Sequence, residues 1–426
     1  MIVLILSVFH PELVRGGAQR VAWDLFEGLK QVPGVRPVFL AATDRGLPAL
    51  YKTGACITGF DGLPDEYLFL ADDVDPWWHK CSDPRLMEAY ADFLLRLRPD
   101  IVHFHHFMRF GVELLTLTRQ MLPDCRIVFT FHEFLAICAA DGHMVRWTDG
   151  SLCDHATPAR CHECIPKAPP ERFVRREAYM KAHLRAVDAF TVPSHFMRRH
   201  FERWGLPASK ITHIANGQMP PDGIPTSPSE RGARTRFGFF GQLVDVKGVW
   251  LLLQAVELLR GEGFSAFTVE INGDNLRYAS ARRRAEIERF IEAEQTRPPG
   301  ERIVSFAGSY HPSQTGERMA RIDWCVVPSV WWESFALVIS EAWACGKPVI
   351  APDVGGPAER VTHEEDGLLF AFADARALAD TLRRAATEPD LWNLLAAGIA
   401  PPLTRRQMVR EFLSLYAGES AVRRSA

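Results

Sequence analysis

The sequence predicts an α/β protein built as two doubly wound domains, each a parallel sheet with helices on both faces. Three observations carry this. The chain has 426 residues, too many for one typical core and suited to two domains of about 200 residues each. Short apolar runs alternate with longer amphipathic ones almost throughout, the pattern of repeated strand–helix units. The stretch NGQMPPDGIPTSPSERGA, residues 216–233, breaks that rhythm with prolines, glycines and no apolar period, so it reads as a linker.

Domain one, residues 1–215, is expected to place strands at 2–8, 37–41, 101–104, 127–131 and 189–192, with helices at 18–29, 84–97, 112–120 and 171–186. Domain two, residues 234–400, is expected to place strands near 236–240, 267–272, 303–307, 323–327, 348–351 and 368–370. Its helices include 248–259 and 335–345, and a C-terminal helix and tail, 401–426, is able to cross back to the first domain. Ligands of such sheets bind at the carboxyl ends of the strands, so a cleft between the two domains is the expected site.

Composition sets limits on function. The chain is 47% hydrophobic and 24% charged with net charge -3, which argues against a nucleic-acid partner, whose footprint is a strongly basic domain. No apolar run approaches the roughly 20 residues of a membrane span. The opening MIVLILSVFHPE lacks a basic leader region and reads as a first strand, so a cytoplasmic location is expected.

The stretch ESFALVISEAWACGKPVIAP, residues 333–352, resembles a buried helix running into a buried strand, yet it carries Glu333 and Glu341. Buried carboxylates are costly unless paired. Eight residues along a helix span about 12 Å, enough for two carboxylates to touch opposite ends of an elongated polar ligand. With Ser334 as cap, the amides of Ser334, Phe335 and Ala336 would face an anion between them. The bland alternative is two solvated glutamates on a half-buried helix. In GQLVDVKG, residues 241–248, Gly241 permits a tight turn and Lys247 stands just before a helix, where it can neutralise a phosphate or simply face water. Gly16 and Gly17, between the first strand and first helix, allow close approach of an anion to a helix start.

These segments, with PDIVHFHH, FTFHE, PSHFMRRHF, IANG, INGD and GGPAE, occur in an order that resembles retaining glycosyltransferases of family 4, which have the GT-B fold: two Rossmann-like domains facing each other across a cleft. The resemblance implies a cytoplasmic hexosyltransferase-like enzyme of polysaccharide or glycoconjugate synthesis. It would move a sugar, with retention, from a nucleotide-diphosphate-sugar donor to a glycan or lipid-linked acceptor. It implies that Glu341 binds the donor ribose, Glu333 and His132 lie beside the donor sugar, and Lys247 holds phosphate. The backbone at Gly17, Ser334, Phe335 and Ala336 would hold diphosphate or sugar hydroxyls, and Gly308, Ser309 and Tyr310 the base. Gln242 stands where the family has an arginine, so one positive charge is missing unless Arg15 or Arg20 supplies it. His103, His105 and His106 cluster after an earlier strand and can line the acceptor side. No D-x-D element stands where a metal-bridged diphosphate would require one, so no catalytic metal is expected. Other readings are a non-catalytic nucleotide-sugar-binding assembly subunit, a sugar-nucleotide hydrolase or epimerase, and a glycosidase. The last needs two acids roughly 5–9 Å apart, closer than Glu333 and Glu341 would be along one helix.

Within the first domain, Cys138, Cys153, Cys161 and Cys164 are spaced C-x14-C-x7-C-x2-C in an insertion near 138–164. Such a set suits one structural zinc, with His155 or His162 able to replace a thiolate; a disulfide or unligated thiols are the alternatives. From Arg160 to Arg203 the basic residues outnumber the acidic, and ERFVRREAYMKAHLRAV mixes them with Phe173, Tyr179 and Met180. Peripheral contact with the inner face of a membrane is one reading of that stretch, and a solvated helix face the other.

Overall fold

The computed structural model describes residues 1–44, 54–71, 75–223 and 232–418. The chain divides into two units. The first comprises Met1–Gln218 with Leu403–Ala426, and the second Met219–Pro402.

Unit one is an eight-stranded sheet of β1 (Ile2–Val8), β2 (Arg36–Thr43), β3 (Ile57–Gly59), β4 (Glu66–Leu70), β5 (Ile101–Phe104), β6 (Arg126–Thr130), β7 (Ala189–Val192) and β8 (Ile211–His213). The order is β3-β4-β2-β1-β5-β6-β7-β8, parallel except for the β3–β4 pair. The run VLIL in β1 is wholly buried, as parallel sheets covered on both faces demand. Helix Gly17–Leu29 packs Val21, Ala22, Leu25 and Phe26 inward. The C-terminal helix Arg405–Tyr416 lies against it, held by Arg405 on buried Asp24. A Cβ at Gly28 would overlap the Val409 side chain, so the close approach of these helices needs a glycine there.

Unit two is a six-stranded parallel sheet of β9 (Arg236–Phe240), β10 (Thr268–Asn272), β11 (Val304–Gly308), β12 (Trp324–Val326), β13 (Val349–Pro352) and β14 (Gly367–Phe370). Its order, β11-β10-β9-β12-β13-β14, reverses direction between β9 and β12, and that switch point is where such sheets bind ligands. One face packs Phe237, Val256, Trp324 and Leu382, the other Phe240, Ile322, Cys325 and Ile339. Asp323 is fully buried and takes a two-pronged bond from Arg236 at 2.6 and 3.0 Å.

Differences from the sequence expectation are local. β3 and β8 are three-residue strands, too short to carry a period of two, and β4 lies in DEYLFLADD among turn residues. Of the expected linker, Asn216 and Gln218 are buried, and Gln218 bridges to Thr404 within unit one. Residues 224–231 of that stretch lie outside the described residues. The expected helix 335–345 is shorter, Leu337–Ala344.

Candidate active site

The polar centre of unit two lies at the carboxyl ends of β9 and β12. After β9 the chain turns through Gly241, and the Val330 amide donates to the Val246 carbonyl at 2.8 Å, joining the two loops. Gly248 has φ 69°, and a Cβ there would overlap the Pro328 carbonyl, so only glycine lets the loops meet. This closeness brings Lys247 Nζ to 2.7 Å from Glu333 Oε2. The same oxygen accepts from Trp331 Nε1 at 2.9 Å and Ser329 Oγ at 3.1 Å. Glu333 is buried while Lys247 keeps about a third of its side chain exposed, at 31%. The arrangement is a sunken carboxylate holding a partly exposed lysine, which has three donors and spends one on Glu333.

Glu333 is not on the helix. Leu337–Ala344 begins after Ala336, whose φ of 61° is left-handed and strained for a residue with a Cβ. Ser334 therefore does not cap it, and the 12 Å helical spacing does not apply to Glu333 and Glu341. Nor do the amides of Ser334 and Phe335 belong to the helix start. The strained turn is held by Arg360, which donates to the Phe335 and Ala336 carbonyls at 3.0 and 2.8 Å and to Ser340 Oγ at 2.6 Å. Burial pushes the Arg360 guanidinium down to about 9. The Gly356 amide bonds the Glu333 carbonyl at 2.8 Å from the other side.

Glu341 is half-buried on the helix, near Tyr310 and Cys325, whose ionisation is opposed first by burial and then by its charge. Tyr310 meets Phe240 edge-on at 5.9 Å. Gly308 at the end of β11 is left-handed, with φ 70°. Arg318 gathers this corner: it donates to Asn272 Oδ1 at 2.8 Å and to the Ala307, Gly308 and Ser309 carbonyls at 3.0–3.2 Å. Gln242 is exposed. Arg318, Arg360, Ser329 and Trp331 were missed by sequence reasoning; Arg360 directly follows GGPAE, and Trp331 precedes Glu333, which were the available signals.

Unit one gathers histidines at the ends of β5 and β6. His105 Nδ1 is 3.0 Å from His132 Nε2. His103 bonds Tyr416 Oη and Thr130 Oγ1, each at 2.7 Å, tying the C-terminal helix to this cluster. His106 Nε2 lies 3.5 Å from Glu133 Oε1. Burial lowers His103 and His132 to about 3 and His106 to about 4, and holds His105 well below its ordinary value. Burial also pushes Glu133 up to about 8. These imidazoles are neutral at pH 7 and can exchange hydrogen bonds with hydroxyls. Gly16 has extended backbone, with a Cβ there overlapping the Gln19 side chain, and Gly17 starts its helix exposed. Arg20 pairs with Asp24 at 2.8 Å.

All four cysteines of the insertion are half-buried thiols outside any disulfide. Phe173 and Met180 of the basic stretch face inward on helix Pro170–Leu184, and Arg176 is buried on the carbonyls of Trp77, Leu135 and Ala136. The apolar residues that a lipid contact would have used are thus mostly in the core. Among the described residues, no helix is long and apolar enough to cross a membrane.

Comparison with known proteins bears on both units. The family model described as Glycosyltransferase Family 4 matches residues 15–218, and that described as Glycosyl transferases group 1 matches residues 234–388. A D-inositol 3-phosphate glycosyltransferase of Rhodococcus jostii is 28% identical over 313 residues, 70% of this chain and 61% of its own. One of Jonesia denitrificans is 33% identical over 187 residues, 42% of each. The chain thus spans less than two thirds of these relatives. Among solved structures, a sucrose-phosphate synthase from Thermosynechococcus elongatus superposes with TM-score 0.71 at 20% identity, covering 98% of both chains. Anabaena HepE, solved in complex with UDP-glucose, superposes with TM-score 0.66 at 17% identity, covering 98% of this chain and all (100%) of its own. These likenesses show the GT-B fold.

Proposed function

The chain belongs to the glycosyltransferase family described by these two domain models, and on that premise we propose that it moves a sugar from a nucleoside-diphosphate-sugar donor to a glycan or lipid-linked acceptor, with retention and no catalytic metal. The observation that carries this reading is the Lys247–Glu333 pair at the switch point of unit two. Transfer breaks the bond between the anomeric carbon and the diphosphate, whose leaving oxygen gains negative charge. A prearranged cation stabilises that charge best when it need not reorganise. Glu333 orients Lys247 for this, and Lys247 retains donors for phosphate.

Glu341 accepts from the ribose hydroxyls, and the corner of Gly308, Ser309 and Tyr310 takes the base, with Arg318 as a positioning residue. Arg360 keeps Ser334, Phe335 and Ala336 in their strained turn, whose backbone would meet phosphate or sugar. Neutral His132 hydrogen-bonds the transferred sugar. In a retaining transfer of this kind the acceptor hydroxyl bonds to the anomeric carbon on the face the diphosphate leaves, and its proton passes to the departing phosphate oxygen.

Gln242 in place of the family's arginine favours one second reading, a subunit that binds nucleotide sugar without turning it over. The test measures released nucleoside diphosphate from UDP-, GDP-, ADP- and dTDP-sugars, with glycan, lipid-linked and phosphorylated cyclitol acceptors. Acceptor-dependent release with one donor, lost in Lys247→Ala, is expected. Binding of a donor with no release from any combination would favour the non-catalytic reading. HepE's complex with UDP-glucose makes UDP-sugars the first donors to try.

A further inference from the structure

The four imidazoles at the ends of β5 and β6 are not equally free to meet a ligand. His103, His105 and His106 are buried, whereas His132 is half-buried. His103 spends both ring nitrogens, on Tyr416 Oη and Thr130 Oγ1. His106 accepts the Met108 amide on Nδ1 at 3.0 Å and turns Nε2 toward Glu133. His105 spends Nδ1 on His132 Nε2 at 3.0 Å, and its own Nε2 is buried with no hydrogen-bond partner among the described residues. The His132 side chain makes that one hydrogen bond among the described residues. Its Nδ1 is therefore the ring nitrogen of the cluster that is neither spent on protein nor sealed inside it.

We propose that His105 is a positioning residue: it holds His132 by Nε2 and so presents His132 Nδ1 to the transferred sugar. A histidine ring turns about its outer torsion in a broad, roughly two-fold well. A half-turn would put a ring carbon where Nδ1 stands. A hydrogen bond to Nε2 selects one of the two orientations. His105 can do this because it is itself fixed. Its amide donates to the Leu6 carbonyl at 2.8 Å, and its ring packs on His103 with centroids 4.3 Å apart. The His105 and His132 rings lie within 19° of parallel, with centroids 5.2 Å apart. Burial lowers both imidazoles, so the pair is neutral at pH 7, and one nitrogen donates while the other accepts. The proton's place in that bond sets whether His132 Nδ1 donates or accepts. A sugar hydroxyl can answer either. His105 thus supports the site from behind rather than lining an acceptor surface. The role rests on the proposed transfer, in which His132 touches the sugar.

Two measurements on the full chain test this. Without substrate, and with the histidine nitrogens isotopically labelled, magnetic resonance should show a coupling across the bond between His105 Nδ1 and His132 Nε2. With a donor and acceptor that support release, His105→Leu should lower kcat by up to about 10²-fold, the cost of misplacing a group at the reacting centre by about 1 Å. Affinity for the free nucleotide should stay unchanged. His105→Asn keeps an amide near the place of Nδ1 and should recover most of the rate. Because His105 acts through His132, His105→Leu should cost nothing further in a His132→Ala background. Should His105→Leu fail to fold, His105→Gln replaces it: its amide stands nearer the place of Nε2, so it should be slow where His105→Asn is not. Absence of the coupling overturns the proposal, as do full kcat in a folded His105→Leu or an equal loss in the His132→Ala background. Release from no donor and acceptor by the unaltered chain would instead fail the proposed reaction, on which the coupling measurement does not depend.

Discussion

The two units share a doubly wound plan and a polar cluster at the strand ends, and both pair buried carboxylates with cations, as Asp24 with Arg20 and Arg405 in unit one. Among the described residues, unit one alone also buries a cluster of imidazoles. Unit one keeps imidazoles uncharged: His103, His105, His106 and His132 are all lowered by burial. Unit two keeps buried carboxylates matched with cations: Glu333 with Lys247, Asp323 with Arg236, Glu294 with Arg260. Neutral donors and acceptors suit sugar hydroxyls, and fixed charge suits a diphosphate. On the proposed reaction, unit one would serve the sugar hydroxyls and unit two the diphosphate.

The largest effect should come from removing the cation of unit two. Lys247→Ala should lower transfer by about 10²–10³-fold, the range for losing one prearranged donor to a developing oxyanion. Single-turnover kinetics at saturating donor would show it, and an unchanged rate would remove Lys247 from the chemistry. His132→Ala should also slow transfer while leaving free UDP affinity nearly intact, which would separate the two units' roles.

Next is the geometry that makes the ion pair. Gly248→Ala places a Cβ in a left-handed position against the Pro328 carbonyl. It should cost about 2–3 kcal/mol of stability, read by denaturant unfolding. Gly263→Ala is also left-handed, but a Cβ there meets nothing within 4 Å, so it should cost less.

Smaller per group, and confined to unit one, is an acid effect. His10 and His79 are also lowered, to about 4 and about 3. Below pH 6.5 the unfolded chain binds protons that these six folded imidazoles refuse, so stability falls with pH from 6.5 toward 4. Each group contributes up to about 1.4 kcal/mol per pH unit. Glu133 and Glu66, both raised, act oppositely, since the folded form holds their protons longer as pH rises. Burial also lowers His183 and His200, so eight imidazoles stand against two carboxyls and the net effect is loss. Only His311 and His363 of the chain's 15 histidines lie in unit two, and both are exposed. Hydrogen exchange at pH 7 and pH 5 should therefore show unit one loosening first. Equal loosening would break the comparison.

Much of this was legible in the sequence because parallel strands buried on both faces are continuous apolar runs. VLIL and RFGFF announce themselves; ITG and ITH, three residues at sheet edges, do not. At the site, Glu333 and Lys247 were readable as chemistry, but their mutual bond was not, because 86 residues separate them. The helix start was misplaced because ESFAL, residues 333–337, offers Ser334 as a cap. Ala336 takes that place in a strained turn that Arg360, 24 residues further on, holds through its carbonyl. Local sequence cannot report a conformation that distant contacts impose.

The central claim is that unit two binds a nucleoside diphosphate through Glu341. Calorimetry with UDP, GDP, ADP and dTDP, on the unaltered chain and on Glu341→Ala, tests it most directly. One nucleotide should bind, and the variant, still folded, should bind it more weakly by about 1.5–3 kcal/mol, the range for a hydrogen bond to a charged group. Equal affinity in a folded Glu341→Ala, or no binding of any of the four by the unaltered chain, would contradict the account.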